Sequence, residues 1–131
     1  MNLEESLCAH LKAYAGLAAL VSTRVYPLQL PQSSTLPTVV YRRIDGPRVE
    51  MFGAASAFQT PRFQVDAWGA TYASAKGAAA QVQAALGGFM GLLGGAGGVN
   101  CTALLVNDVD LPDPETGWVH VASDFVIWVN G

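Results

Sequence analysis

PRFQVDAW, residues Pro61 to Trp68, is the stretch from which the fold of this chain is read. Phe63, Val65 and Ala67 alternate with Arg62, Gln64 and Asp66, so successive side chains divide into one apolar and one polar row. That period of two is a strand with one face on a core and the other turned outward. Directly after it, Thr71 can cap a helix in which Tyr72, Ala75, Ala79, Val82 and Leu86 recur at helical spacing. A stripe of mostly small residues lets such a helix lie close on a sheet, against which Gly77 costs about 1 kcal/mol.

Working upstream, TVVYRRID (Thr38 to Asp45) is β-branched and aromatic and stops at Gly46-Pro47, which predicts a second strand. The connection between the two strands, Gly46 to Thr60, is rich in small residues and is expected to be a mobile loop. RVYPLQLPQSSTLP, before the second strand, carries Pro27, Pro31 and Pro37 and reads as an extended link. Near the N-terminus, Leu3, Leu7, Leu11 and Tyr14 make one helical face, with Asn2 as cap and Glu5 placed for a capping box. Gly16 is expected to end that helix near Ala15 and to open a short second one over Leu17 to Ser22.

Downstream, seven of the twelve residues of GGFMGLLGGAGG, Gly87 to Gly98, are glycine. The segment has no Lys, Ser or Thr and does not open onto a helix, so it is no P-loop. Its apolar residues Phe89, Met90, Leu92 and Leu93 are too interrupted to span a bilayer, which leaves a link pinned to the core. Two strands follow, Val99 to Asp110 and Trp118 to Asn130, joined by LPDPETG, where Pro114 and Gly117 suit a tight hairpin turn. In the last strand Val119, Val121, Phe125, Ile127 and Val129 face one way, and Trp118, His120, Asp124 and Trp128 the other. Helix, strands, helix and hairpin describe an α+β fold with an antiparallel or mixed sheet of about four strands and two main helices packed on one face. All 131 residues fit one such domain.

Hydrophobic residues make up 51% of the chain and charged ones 13%, a surface poor in charge that suits contact with other protein. A net charge of -3 argues against a general nucleic-acid binder. The acidic N-terminus, Met-Asn-Leu-Glu-Glu, is unlike a secretory signal, and no apolar run has the length of a membrane span, so a cytosolic site of synthesis without membrane attachment is expected. Cys8 and Cys101 lack metal or redox spacing and read as buried free thiols.

No constellation announces catalysis. His10 borders the first helix's apolar face and reads as a hydrogen-bonded structural histidine, while His120 and Asp124 share the polar face of one strand and read as a surface pair. NDVDLPDPE gathers Asp108, Asp110, Asp113 and Glu115, but the glycine and glutamate of a calcium loop are missing at the required offsets. Arg42, Arg43, Arg48 and Arg62 are interleaved with Asp45, Glu50 and Asp66, a pattern that favours ion pairing at a protein interface. Two tryptophans, Trp118 and Trp128, beside Arg62, Gln64 and Asp66 on the helix-free sheet face mark that face as a contact surface.

Several pieces, in this order, carry a family resemblance: RVYP after a short helix, an LPTVVY strand, FQVDAW feeding a TYASAK helix, the GGFMGLLGG link, and a terminal DFVIW strand. Together they resemble the tail completion proteins of long-tailed bacteriophages, the tail-to-head joining and tail terminator subunits, over nearly the whole chain. The resemblance implies a structural virion protein, not an enzyme, with no cofactor, metal or catalytic residue. It implies a ring of identical subunits, usually a hexamer, at the head-proximal end of the tail. There it would end tail-tube growth and meet the tail tube protein and the head-tail connector or stopper, with DNA passing through its lumen unbound. Under this reading Trp118, Trp128 and the strand bearing Arg62, Gln64 and Asp66 contribute to contacts between subunits. The Gly46 to Thr60 segment, with Arg48, Glu50, Met51 and Phe52, orders against tube or connector. Two alternatives are another neck or minor tail subunit of the same phage context, and a small enzyme acting through His120 and Asp124.

Overall fold

The computed structural model describes every residue except Met1, Ser33, Gly46, Pro47, Phe52, Gly53, Asn130 and Gly131, with side chains described outside residues 45–59. Helix α1 spans Leu3–Ala13 and starts as expected, the Asn2 carboxamide oxygen accepting from the Glu5 amide at 2.7 Å. It ends at Tyr14, whose extended backbone also opens α2, Ala15–Val21. Gly16 therefore lies inside α2 and is not the cap. Its smallness serves packing instead, because a Cβ there would stand 2.1 Å from the Gln81 Oε1 of the third helix.

Strands and the last helix follow as β1 (Val25–Pro27), β2 (Thr38–Asp45), β3 (Arg48–Met51), β4 (Ala54–Gln59), β5 (Arg62–Gly69), α3 (Tyr72–Leu86), β6 (Phe89–Leu93), β7 (Val99–Pro112) and β8 (Val119–Val129). The α+β class and the helices on one face hold, two main helices with the short α2 between them, while the described residues form eight strands where about four are expected from sequence. The sheet is mixed. β1 runs parallel to β2, and β2–β5, β5–β8, β8–β7 and β7–β6 are antiparallel.

Two of the extra strands fall in the Gly46 to Thr60 segment read as a loop. β3 and β4 pair antiparallel, with Met51 opposite Ala54, and β4 reaches β8 only through Gln59 opposite Val129. β2 with β3, and β4 with β5, thus make one long hairpin whose outer half extends beyond the sheet. Backbone pairing carries that half despite its alanines and serines, which is why composition suggested a loop. Of the residues assigned there, Phe52 lies outside the described residues, as do the side chains of Arg48, Glu50 and Met51.

A third unforeseen strand, β6, sits inside the glycine-rich link and pairs with β7 from Phe89 opposite Ala103 to Leu93 opposite Val99. Leu93 is buried and Phe89 packs on the core, but Met90 and Leu92 face solvent, so only half of the link's apolar residues pin it. Gly94 closes the strand at φ +86°, where a Cβ would also lie 2.9 Å from the Ser6 carbonyl of α1.

The core lies between the helices and one sheet face. Leu7, Leu11, Leu17, Val21, Val82 and Leu86 from the helices meet Val39, Phe63, Val65, Cys101, Phe125 and Ile127 from the sheet. Phe63 and Phe125 stand opposite each other in the β5–β8 ladder, both fully buried. Thr71 caps α3 through its hydroxyl, which accepts from the Ser74 amide at 3.2 Å. Ala75, Ala78 and Ala79 then bring α3 so near β5 that a Cβ on Gly69 would be 2.4 Å from the Ala75 nitrogen. Tyr72 leaves the expected stripe. It is exposed and donates to Asp110 Oδ2 at 2.7 Å, because Ala78 and Ala85 complete the buried face.

Candidate subunit interface

Because α1, α2 and α3 all pack on the face carrying Phe63, Val65 and Phe125, alternation turns Arg62, Gln64, Asp66 and Trp68 of β5 to the other face. Cross-strand register places β8 beside them, with Gln64 opposite Asp124, Asp66 opposite Ala122 and Trp68 opposite His120. One strand further, Leu104 stands opposite Val126, Val109 opposite Ala122 and Leu111 opposite His120. This helix-free face therefore exposes Leu104, Val109, Leu111 and Trp128. Adjoining apolar side chains with a polar row between them have the composition of a protein contact surface.

That polar row is unevenly satisfied. Arg42 donates to the Gln64 side-chain oxygen, and Gln64 Nε2 donates to Asp124 Oδ1 at 3.2 Å, a relay across three neighbouring strands. Beside it, the Trp68 and His120 rings stack with centroids 4.1 Å apart and planes within 4°. His120 Nδ1 is 3.8 Å from Asp66 Oδ2, too far for a hydrogen bond. Asp66 Oδ1, His120 Nδ1 and Arg62 Nε are buried without hydrogen-bond partners among the described residues. Burial, opposed by the Arg42 charge and aided by Asp124, pushes the Asp66 carboxyl up to about 6. Burial likewise drives the His120 imidazole down, the attraction of Asp113 being the lesser influence. Both groups are thus biased toward their neutral forms, which a loose pair in a poorly hydrated setting favours over an ion pair.

The sequence-assigned residues separate into two groups. Arg62, Gln64 and Asp66 come together with Trp68, Asp124 and His120. Trp118 and Trp128 stand roughly 30 Å apart along the strand direction. Trp118 lies just outside β8, half-buried at the hairpin end, where its amide donates to Thr116 Oγ1 at 3.1 Å and its carbonyl accepts from Asp113. Trp128 is the exposed one, at 49%. His120 does not join Asp124 as the sequence suggested; the β5–β8 register sets it against Trp68 and Asp66. Its contacts could not be read from the chain because they depend on pairing between distant strands.

Elsewhere the chemistry is structural. His10 Nε2 meets the Ala85 carbonyl at 2.7 Å and its ring packs on Phe89, as expected of a histidine tying α1 to α3. Cys101 is buried and Cys8 half-buried. Arg43 pairs with Glu4 of α1 at 3.4 Å, a helix partner that the sequence pattern did not suggest. Asp113 organises the hairpin end, accepting from the Glu115 amide and the Thr116 hydroxyl, and Gly117 takes φ +76° as the turn requires. Among the described residues no three His, Cys, Asp or Glu side chains gather as metal ligands, and no helix is long and apolar enough to cross a membrane. A cavity of about 340 Å³ is lined by Glu4, Pro27, Leu28, Tyr41, Arg42 and Arg43, and one of about 200 Å³ by residues of α3, Asp108 and Val121; neither includes His120.

Residues 5–130 match the family model described as tail completion protein gp17. Among solved structures, a chain from the virion of a native gene transfer agent particle superposes with a TM-score of 0.72 at 25% sequence identity, covering 98% of each chain. No curated protein matches.

Proposed function

The chain belongs to the tail completion protein gp17 family, and from that premise we propose that this phage tail protein forms a ring at the head-proximal end of the tail. The ring, probed first as a hexamer, ends growth of the tail tube, seats the head-tail connector or stopper, and lets DNA pass without specific binding. The family match over residues 5–130 carries this reading. The helix-free face supports it, since Leu104, Val109, Leu111 and Trp128 remain exposed on the single chain and become buried between subunits. In the ring, Arg62, Gln64, Asp66 and Trp128 contribute to subunit contact, with Trp118 at its margin. The β3–β4 end of the long hairpin, carrying Arg48, Glu50, Met51 and Phe52, meets the tube or connector. No step of this role calls for catalysis or a cofactor.

The test is a phage lysate lacking the protein, imaged by negative stain. Tails of irregular length that fail to join heads are expected. Tails of normal length properly joined to heads would overturn the proposal.

A further inference from the structure

Three polar atoms on the helix-free face are buried without a hydrogen-bond partner among the described residues: Asp66 Oδ1, His120 Nδ1 and Arg62 Nε. Native chains leave few such atoms, and each asks for an explanation. Two of the three belong to side chains that approach each other diagonally across the β5–β8 ladder. Asp66 Oδ2 stands 3.8 Å from His120 Nδ1, about 1 Å beyond ordinary hydrogen-bond reach. The imidazole is the fixed member, because Trp68 stacks on it with planes within 4°, and swinging it aside would break the stack. The carboxylate is the movable one, its Oδ1 bonded to nothing among the described residues.

Burial dominates both groups, pushing the Asp66 carboxyl up to about 6 and the imidazole down, so each resists its own charged form. The surrounding charges are weaker influences. Arg42 of β2 opposes the rise of Asp66, Asp124 of β8 adds to it, and Asp113 at the hairpin end draws His120 back up against Arg42. Arg62 completes the polar row on β5. β7 brings no ionisable group to this face, where it places Val109 and Leu111; its Asp108 and Asp110 turn instead to Gln83, Tyr72 and Lys76 of α3. A single proton then serves both members of the pair: a neutral carboxylic acid donates through Oδ2, and a neutral imidazole carrying its hydrogen on Nε2 accepts at Nδ1.

We infer that Asp66 and His120 form a one-proton switch, closed when the Asp66 carboxylic acid donates to His120 Nδ1 and open when its carboxylate is free to accept from a neighbouring subunit. The proton comes from solvent, and closing takes the pair from singly negative to neutral. The link to a neighbour rests on the ring reading above: an open carboxylate is poorly compensated within the single chain and gains a donor in the assembly, whereas a closed one is spent inside the chain. Assembly therefore favours the ionised form. Its contribution is fully present above about 6, the value in the free chain, and is lost as pH falls through the lower value that the donor imposes.

Nuclear magnetic resonance of the Asp66 carboxyl carbon and the His120 ring nitrogens during a pH titration of the dilute protein reads the switch directly. Both should move with one midpoint near 6, His120 remaining a neutral imidazole through it. In Asp66→Asn the carboxamide donates at every pH, so the His120 step at that midpoint should vanish. Separate midpoints, an imidazolium at the shared midpoint, or a His120 step that survives the substitution would overturn the switch. Native mass spectrometry of the concentrated protein over the same range reads the link to assembly. The association constant per contact should fall by up to about tenfold per pH unit below the midpoint, and Asp66→Asn should keep the low-pH level throughout. Rings that form equally well on both sides of the midpoint would overturn the link and leave the ring standing, whereas a chain that stays monomeric at every pH would overturn the ring reading, and the link with it, without touching the resonance result.

Discussion

Replacing Asp66 by asparagine tests whether the polar row is a strained element kept for assembly. The Asp66 side chain is 13% exposed, its Oδ1 has no hydrogen-bond partner among the described residues, and its carboxyl is raised from 3.8 to about 6. A shift of roughly two units corresponds to about 3 kcal/mol at 1.36 kcal/mol per unit, and residual solvent contact reduces the effective figure to about 2 kcal/mol. The folded protein holds the Asp66 proton over a pH range in which the unfolded chain has released it. Stability therefore falls as pH rises from 3.8 to about 6, and the full penalty applies above that range. An asparagine keeps the shape and removes the ionisation, so Asp66→Asn should stabilise the monomer by about 2 kcal/mol near neutral pH. It should also remove the Asp66 contribution to the decline with pH. Urea unfolding followed by tryptophan fluorescence across that range measures both. A variant less stable than the parent at neutral pH, or one with the parent's pH slope, would refute the reasoning. If the carboxylate is retained for the partner subunit, the stabilised variant should also assemble less well, a stability–function trade-off.

Gly77 lies in the interior of α3, and a methyl added there would meet nothing within 4 Å, so Gly77→Ala should stabilise the fold by about 1 kcal/mol. A lower Tm would contradict the open, solvent-facing position given to it. Gly69→Ala should do the opposite, destabilising by about 2 kcal/mol or more as the methyl meets the Ala75 backbone, and an unchanged urea midpoint would show that α3 does not sit this tightly. Trp128→Ala should leave the circular dichroism and Tm of the monomer nearly unaltered while impairing ring formation in native mass spectrometry, since nearly half of this side chain is exposed; normal assembly would remove Trp128 from the interface.

The legible parts of the fold are those whose signals are local. Asn2 and Thr71 cap helices because a short polar side chain can reach an amide three residues on, and both do so here. The alternation in β5 and β8 identifies the core face residue by residue, from Phe63 to Ile127. The strands not legible in the sequence are β1, three residues within a proline-rich link, β3, and β4 and β6, whose alanines, serine and glycine have little strand preference and acquire extended geometry from the backbone beside them. Gly16 misled for a related reason, since its role is a contact with Gln81 and not a local backbone turn.

By itself the sequence determined the α+β class, the helix starts, the final hairpin and the polarity of each face of β5 and β8, because periodicity and capping act over a few residues. Its ordered motifs also pointed to the family that the match over residues 5–130 establishes. Tertiary structure alone decided that His120 lies against Trp68 and Asp66 and not Asp124, that Arg43 answers to Glu4, and that Leu104, Val109 and Leu111 share the face of Trp128. These follow from register between strands far apart in the chain, where sliding a strand by a single residue would turn every side chain to the other face. The candidate interface belongs to this second category: its residues were nameable one by one, but only the pairing of β5, β8 and β7 assembles them into a surface.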